Sequence, residues 1–107
     1  MLKKENRLKT KEFEKVFKTG QKRFSQNFFL VFLDNQENKK ISTSVSKKIY
    51  KKAVKRNRAR RIIYDILQKK INEIPENKWM VLIQIKPILD LDRKKIESEI
   101  TWILRKK

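Results

Sequence analysis

The 107-residue sequence contains no cysteine, no histidine and one glycine, Gly20, with two prolines at positions 75 and 87. Without cysteine there is no thiol nucleophile, no disulfide and no thiolate zinc site. Without histidine the usual neutral-pH general base is missing as well. Chemistry by the protein would have to rest on carboxylates, and these are scarce: 12 Asp and Glu against 30 Lys and Arg. No spacing isolates an apolar pair of acids such as a glycosidase uses, and a single glycine cannot build a phosphate-cradling loop. Long hydrophobic runs are absent too. Segments such as Trp79 to Ile83 are strand-length, far short of the roughly 20 residues of a membrane-spanning helix. The opening residues Met1 to Asn6 carry no apolar stretch behind their lysines, so no secretory signal is expected, and the expected compartment is the cytoplasm.

What the chain has in excess is positive charge. A formal net charge of +18 imposes self-repulsion that a polyanionic partner would relieve, and nucleic acid is the partner it points to, rather than a membrane. Apolar residues make up 38% of the chain and recur periodically, which suits one small core and a single domain over residues 1–107.

The periodicity predicts a first helix from Lys11 to Lys18, N-capped by Thr10, with Phe13, Val16 and Phe17 on one face and Gly20 just past its end. Phe24 to Leu33 reads as a strand with apolar residues on both faces, followed by a polar turn from Asp34 to Asn38. In the next strand Ile41, Thr43 and Val45 alternate with Ser42, Ser44 and Ser46. One face joins the core, and the other offers small hydroxyls that form either an ordinary solvated face or a smooth surface for another chain. A long helical pattern runs from about Lys52 to Ile74, with Ala59, Ile62, Ile63, Ile66, Leu67, Ile71 and Ile74 inward until Pro75 stops it. Its opposite stripe collects Asn57, Arg61, Tyr64 and Gln68, with Arg58 beside them. Trp79 to Ile83 follows as an interior strand. Asp90 or Asp92 caps a last helix with the stripe Ile96, Ile100, Ile103 and Leu104, Trp102 away from it, and the basic end Arg105-Lys106-Lys107. The fold class is α+β, an α/β sandwich in the order helix, strands, helix, strand, helix, with helices packing a small mixed sheet of three to four strands.

The densest cluster is residues 47–61, where Lys47, Lys48, Lys51, Lys52, Lys55, Arg56, Arg58, Arg60 and Arg61 stand with no acid among them. A charge run is ordinarily a solvated face. Here, however, the cations span a strand end, a loop and the first helical turns, and they include planar guanidiniums matched to phosphate oxygens. Cations at a helix start also oppose the helix dipole, a cost that a bound anion would relieve. The pair Phe13 and Phe17 more often fills a core. At a helix-on-sheet groove beside Val31, Ser44 and Ser46 it could also stack unpaired bases.

Ser44-Val45-Ser46-Lys47-Lys48-Ile49, followed by the tract from Ala53 to Arg61 with its Arg56-Asn57-Arg58, resembles the signature of the bacterial ribonuclease P protein subunit. Asn6-Arg7-Leu8, then Phe13, Val16, Phe17 and Gly20, and Lys86-Pro87 downstream extend the resemblance over essentially the whole chain. The resemblance implies a non-catalytic subunit of an endoribonuclease, which binds a catalytic RNA and the 5′ leader of precursor tRNA. Cleavage would be performed by the RNA with Mg2+ held mainly by that RNA, and the protein would be a monomer in the holoenzyme with no DNA partner. Carried over by position, Lys47, Lys48, Lys52, Lys55, Arg56, Asn57, Arg58, Arg60, Arg61 and Tyr64 would meet the RNA subunit. Phe13, Phe17, Val31, Ser44 and Ser46 would line the leader groove. Val31 stands where the family's groove carries a tyrosine, and Tyr64 where the signature closes on arginine. Tyr50-Lys51-Lys52 replaces a Gly-Asn pair with one residue more. The resemblance further implies a left-handed crossover between the strands flanking the central helix, against the usual right-handed rule. The alternatives are a structural RNA-binding protein such as a ribosomal protein, which would share charge and size, then a DNA-binding module, then a protein-only nuclease, which would need clustered carboxylates.

Overall fold

The computed structural model describes residues 4–34 and 38–105. Part of the turn expected over Asp34 to Asn38, the first three residues, and Lys106-Lys107 lie outside them. After a short 3-10 turn at Lys4–Asn6, helix α1 spans Thr10–Thr19. Its N-cap is Lys9, not Thr10, because Glu12 reaches back to accept the Lys9 backbone N–H at 2.7 Å. The other Glu12 oxygen accepts from Lys40 Nζ at 2.7 Å. Burial alone would raise this carboxyl, but the bonds from Lys40 and the Lys9 N–H, with the Lys40 charge, hold it below its ordinary value. Gly20 ends α1 in an extended conformation, φ −74°, so its use is room rather than left-handed backbone. A Cβ there would sit 2.5 Å from the Val16 carbonyl oxygen and 2.8 Å from Val31 Cγ1.

Four strands follow: β1 Gln21–Phe24, β2 Phe28–Asp34, β3 Lys40–Val45 and β4 Lys78–Gln84, in the order β1-β2-β4-β3. β1, β2 and β4 pair antiparallel, and β3 pairs parallel to β4 through the intervening helix α2, Ala53–Lys69. The single strand expected from Phe24 is therefore two strands folded back on each other. The Glu99 carboxylate of helix α3, Arg93–Arg105, holds the turn by accepting from Ser25 Oγ at 2.5 Å, the Asn27 N–H at 2.6 Å and Asn27 Nδ2 at 2.7 Å. α2 is also shorter than its apolar pattern, ending at Lys69. Ile71 and Ile74 reach the core from a separate 3-10 turn and its end. Asp92 is the residue that caps α3, accepting the Lys94 N–H at 3.1 Å.

Strand alternation divides the apolar residues between two layers. On one face Phe28, Leu30, Ile41, Met80 and Leu82 pack with Ile63, Ile66 and Leu67 of α2 and Ile100 and Ile103 of α3. On the other, Val31, Trp79 and Val81 lie under Val16 of α1. Each such side chain contributes about 1.5–3 kcal/mol on burial. β4 is covered on both faces, as an uninterrupted apolar strand requires.

Candidate nucleic-acid interface

The basic tract begins where β3 ends. Ser46 leaves the strand, and its Oγ accepts the Lys48 N–H at 3.1 Å in the turn that follows, so it does not continue the hydroxyl row of Ser42 and Ser44. Lys47 and Lys48 stand exposed in this turn, and Lys51, Lys52 and Lys55 are exposed at the entry to α2. The loop is held from within. Tyr50 is buried, and its phenol oxygen takes the N–H groups of Ile88 at 2.7 Å and Leu89 at 3.2 Å and the Gln84 Nε2 donor at 3.1 Å. The longer loop thus carries an anchor to the segment between β4 and α3 that a Gly-Asn pair would lack.

α2 starts on Lys52 without a side-chain cap and without an acid in its first turn. Arg56 compensates by folding back, donating from Nη1 to the carbonyls of Tyr50 and Lys51 at 2.9 Å each. It is therefore half-buried and braces the loop, while Arg58, Arg60 and Arg61 are exposed. Arg60 Nη2 donates to Asn57 Oδ1 at 3.1 Å, and Asn57, Arg60, Arg61, Tyr64 and Asp65 line one shallow depression along the helix. Asn57, Arg61 and Tyr64 of the expected stripe share this lining, and Gln68 and Arg58 are not part of it. The Tyr64 hydroxyl oxygen takes the Thr43 N–H on the open edge of β3 at 3.4 Å, which leaves its own proton available for donation.

Elsewhere the acids have partners: Glu12 pairs with Lys40, Asp34 with Lys78, Glu76 with Lys39, Asp65 and Glu97 with Arg93, and Glu73 with Lys70 and Arg105. Among the described residues, no ion pair engages any cation between Lys47 and Arg61. The repulsion within this tract is left standing in the free protein.

On the opposite face of the sheet, α1 packs on β2 and β4. Phe13 and Phe17 lie nearly parallel, ring centroids 6.2 Å apart and planes 12° apart. Phe13 is half-buried against the smaller core, whereas Phe17 is 45% exposed. Ser42 and Ser44 of β3 are half-buried on this face. Val31 is not part of any accessible lining, since it is completely buried under Val16 and beside Gly20. It can only support the groove from below. The basic stripe follows the carboxyl end of β3, and the Phe13–Phe17 pair lies across the opposite face of the sheet on α1.

Residues 2–107 match the family model described as Ribonuclease P. The chain belongs to the ribonuclease P protein family. It is 39% identical over 108 residues to the ribonuclease P protein component of Bacillus velezensis, covering 98% of this chain and 91% of that one. The component of Bacillus pumilus is 36% identical, with 98% and 90% covered. The solved RNase P protein from Thermotoga maritima superposes with a TM-score of 0.83 at 23% identity, covering 92% of this chain and 94% of that one. For the Staphylococcus aureus protein the values are 0.79 and 24%, with 96% and 94% covered. The family membership makes the chain the protein component of a tRNA-processing ribonucleoprotein with endoribonuclease activity and an RNA partner, and nothing favours the ribosomal-protein alternative.

Proposed function

We propose that the chain assists ribonuclease P through two surfaces with different partners. The α2 stripe and the loop before it hold the phosphates of the RNA subunit: Lys47, Lys48, Lys52, Lys55, Arg58, Arg60 and Arg61 supply charge, Asn57 and Tyr64 supply hydrogen bonds, and Arg56 fixes the loop that presents them. The groove of Phe13, Phe17 and Ser44 receives the unpaired 5′ leader of precursor tRNA, with Val31 beneath it. The observation that carries this reading is the uncompensated tract. Six of the described acids are paired with cations outside it, and none with a cation inside it.

Bond cleavage is assigned to the RNA subunit. The Mg2+ that cleavage requires is assigned to the RNA subunit as well; among the described residues no group of three or more Asp or Glu side chains could hold a metal ion. No described helix is long and apolar enough to cross a membrane.

Reconstitution with a bacterial ribonuclease P RNA tests the division of labour. The mixture should release the 5′ leader from precursor tRNA at Mg2+ concentrations where the RNA alone is slow, and the protein alone should leave the substrate intact. Cleavage by the purified protein without RNA would refute it.

A further inference from the structure

The sheet face under α1 extends beyond the helix. One row past Val31 and Val81, the strand register places Phe24, Phe29, Ile83 and Ser44 side by side across all four strands. Phe24 and Phe29 are stacked, centroids 4.7 Å apart and planes 17° apart. Phe29 and Ile83 are half-buried against the smaller core, whereas Phe24 is 61% exposed, so one face of its ring covers Phe29 and the other meets solvent. Lys22, on the same face, holds its ammonium 5.8 Å from the Phe29 centroid. With strands about 4.8 Å apart the row is roughly 14 Å long, the length of about four stacked nucleotides at 3.4 Å each.

We propose that this row is a second stacking platform for single-stranded RNA, on which Phe24 carries an unpaired base and Lys22 meets the adjoining phosphate. Neither residue belongs to the basic stripe or to the Phe13–Phe17 groove. The flat open ring suits a nucleobase, since every base has a face to stack. The neighbouring lysine and the chain's +18 charge suit a polyanion. The row lies on the sheet face that α1 covers, one register step beyond Val31, so a leader leaving Phe17 can continue across it toward Phe24. The proposal rests on the reading of that groove as the leader site.

The experiment uses the reconstituted holoenzyme and precursors whose leaders lengthen one nucleotide at a time. For the parent, affinity should rise with leader length in two stages, over the groove and then over the row. Phe24→Leu keeps apolar bulk but loses the aromatic face, and should abolish the second stage, a loss of roughly five- to hundredfold for the longest leaders. Phe24→Trp should retain it, with melting temperatures of both variants close to the parent. A photoreactive uridine at the outer leader positions should crosslink within β1. The proposal is overturned if Phe24→Leu reproduces the parent's length profile, or if leader binding is unchanged while binding to anionic lipid vesicles is lost. If the parent itself shows no dependence on leader length, the groove reading fails first, and the platform with it.

Discussion

Tyr50 shows how one side chain sets the geometry of a charged loop. Its oxygen serves three donors: Gln84 Nε2 at the end of β4 and the backbone N–H groups of Ile88 and Leu89 beyond it. Tyr50→Phe leaves the buried Ile88 N–H without this acceptor, at about 1–3 kcal/mol, while Gln84 Nε2 keeps the Lys86 carbonyl. For a domain of this size the melting temperature should fall on the order of 10 °C, measured by thermal unfolding followed by circular dichroism. Glu12 works at the other end of the sheet, joining the start of α1 to β3. Its folded-state proton affinity is depressed, so its contribution is present above the ordinary Glu value of about 4.3 and disappears as pH falls through the lower folded value. Glu12→Gln should therefore lower stability at neutral pH, and the gap from the parent should close in acid. Melting curves at stepped pH would show it, and a constant gap would contradict it.

At the scale of elements, periodicity located α1, α2, β4 and α3, because their apolar stripes are dictated by the core they pack on. It failed where distant contacts decide. Gln21-Lys22-Arg23 has no apolar alternation, and the turn at Ser25-Gln26-Asn27 has neither glycine nor proline. Beside the Ser25 N–H to Phe28 carbonyl bond, Glu99, over 70 residues away, fixes that reversal. The end of α2 was equally hidden, since Ile71 and Ile74 keep helical spacing while the backbone changes to a 3-10 turn. For the site, the α2 stripe was legible as a 100° pattern, but the bracing role of Arg56 depends on a loop fold that no spacing encodes. The residues proposed for the leader were legible as residue types but not in depth at Val31, because burial depends on how closely α1 approaches over Gly20. Organised geometry makes the stripe testable. Arg61→Glu should weaken binding of the RNA subunit roughly ten- to hundredfold, the worth of a lost charge-assisted hydrogen bond. Lys95→Glu, the same charge change on exposed α3, should have little effect in the same filter-binding titration.

For the whole molecule, the surplus of 30 cations over 12 acids is arranged rather than spread. Acids neutralise the sides of the sheet and the ends of α3, and the tract from Lys47 to Arg61 is left to meet a polyanion. If about five phosphates are contacted, a slope near −0.7 per contact gives roughly a hundredfold loss of RNA affinity between 50 and 200 mM salt. A flat response would mean that the tract does not carry the binding.

The two-surface arrangement is tested most directly by the ratio of holoenzyme affinities for leader-bearing precursor and mature tRNA, compared between the parent and Phe17→Ala. Phe17 is 45% exposed, so its removal should spare the fold and take away a stacking face worth about 1–3 kcal/mol. The expected result is a ratio reduced roughly five- to hundredfold, with mature tRNA and the RNA subunit bound as before. An unchanged ratio in a folded variant would contradict the assignment of the groove to the leader.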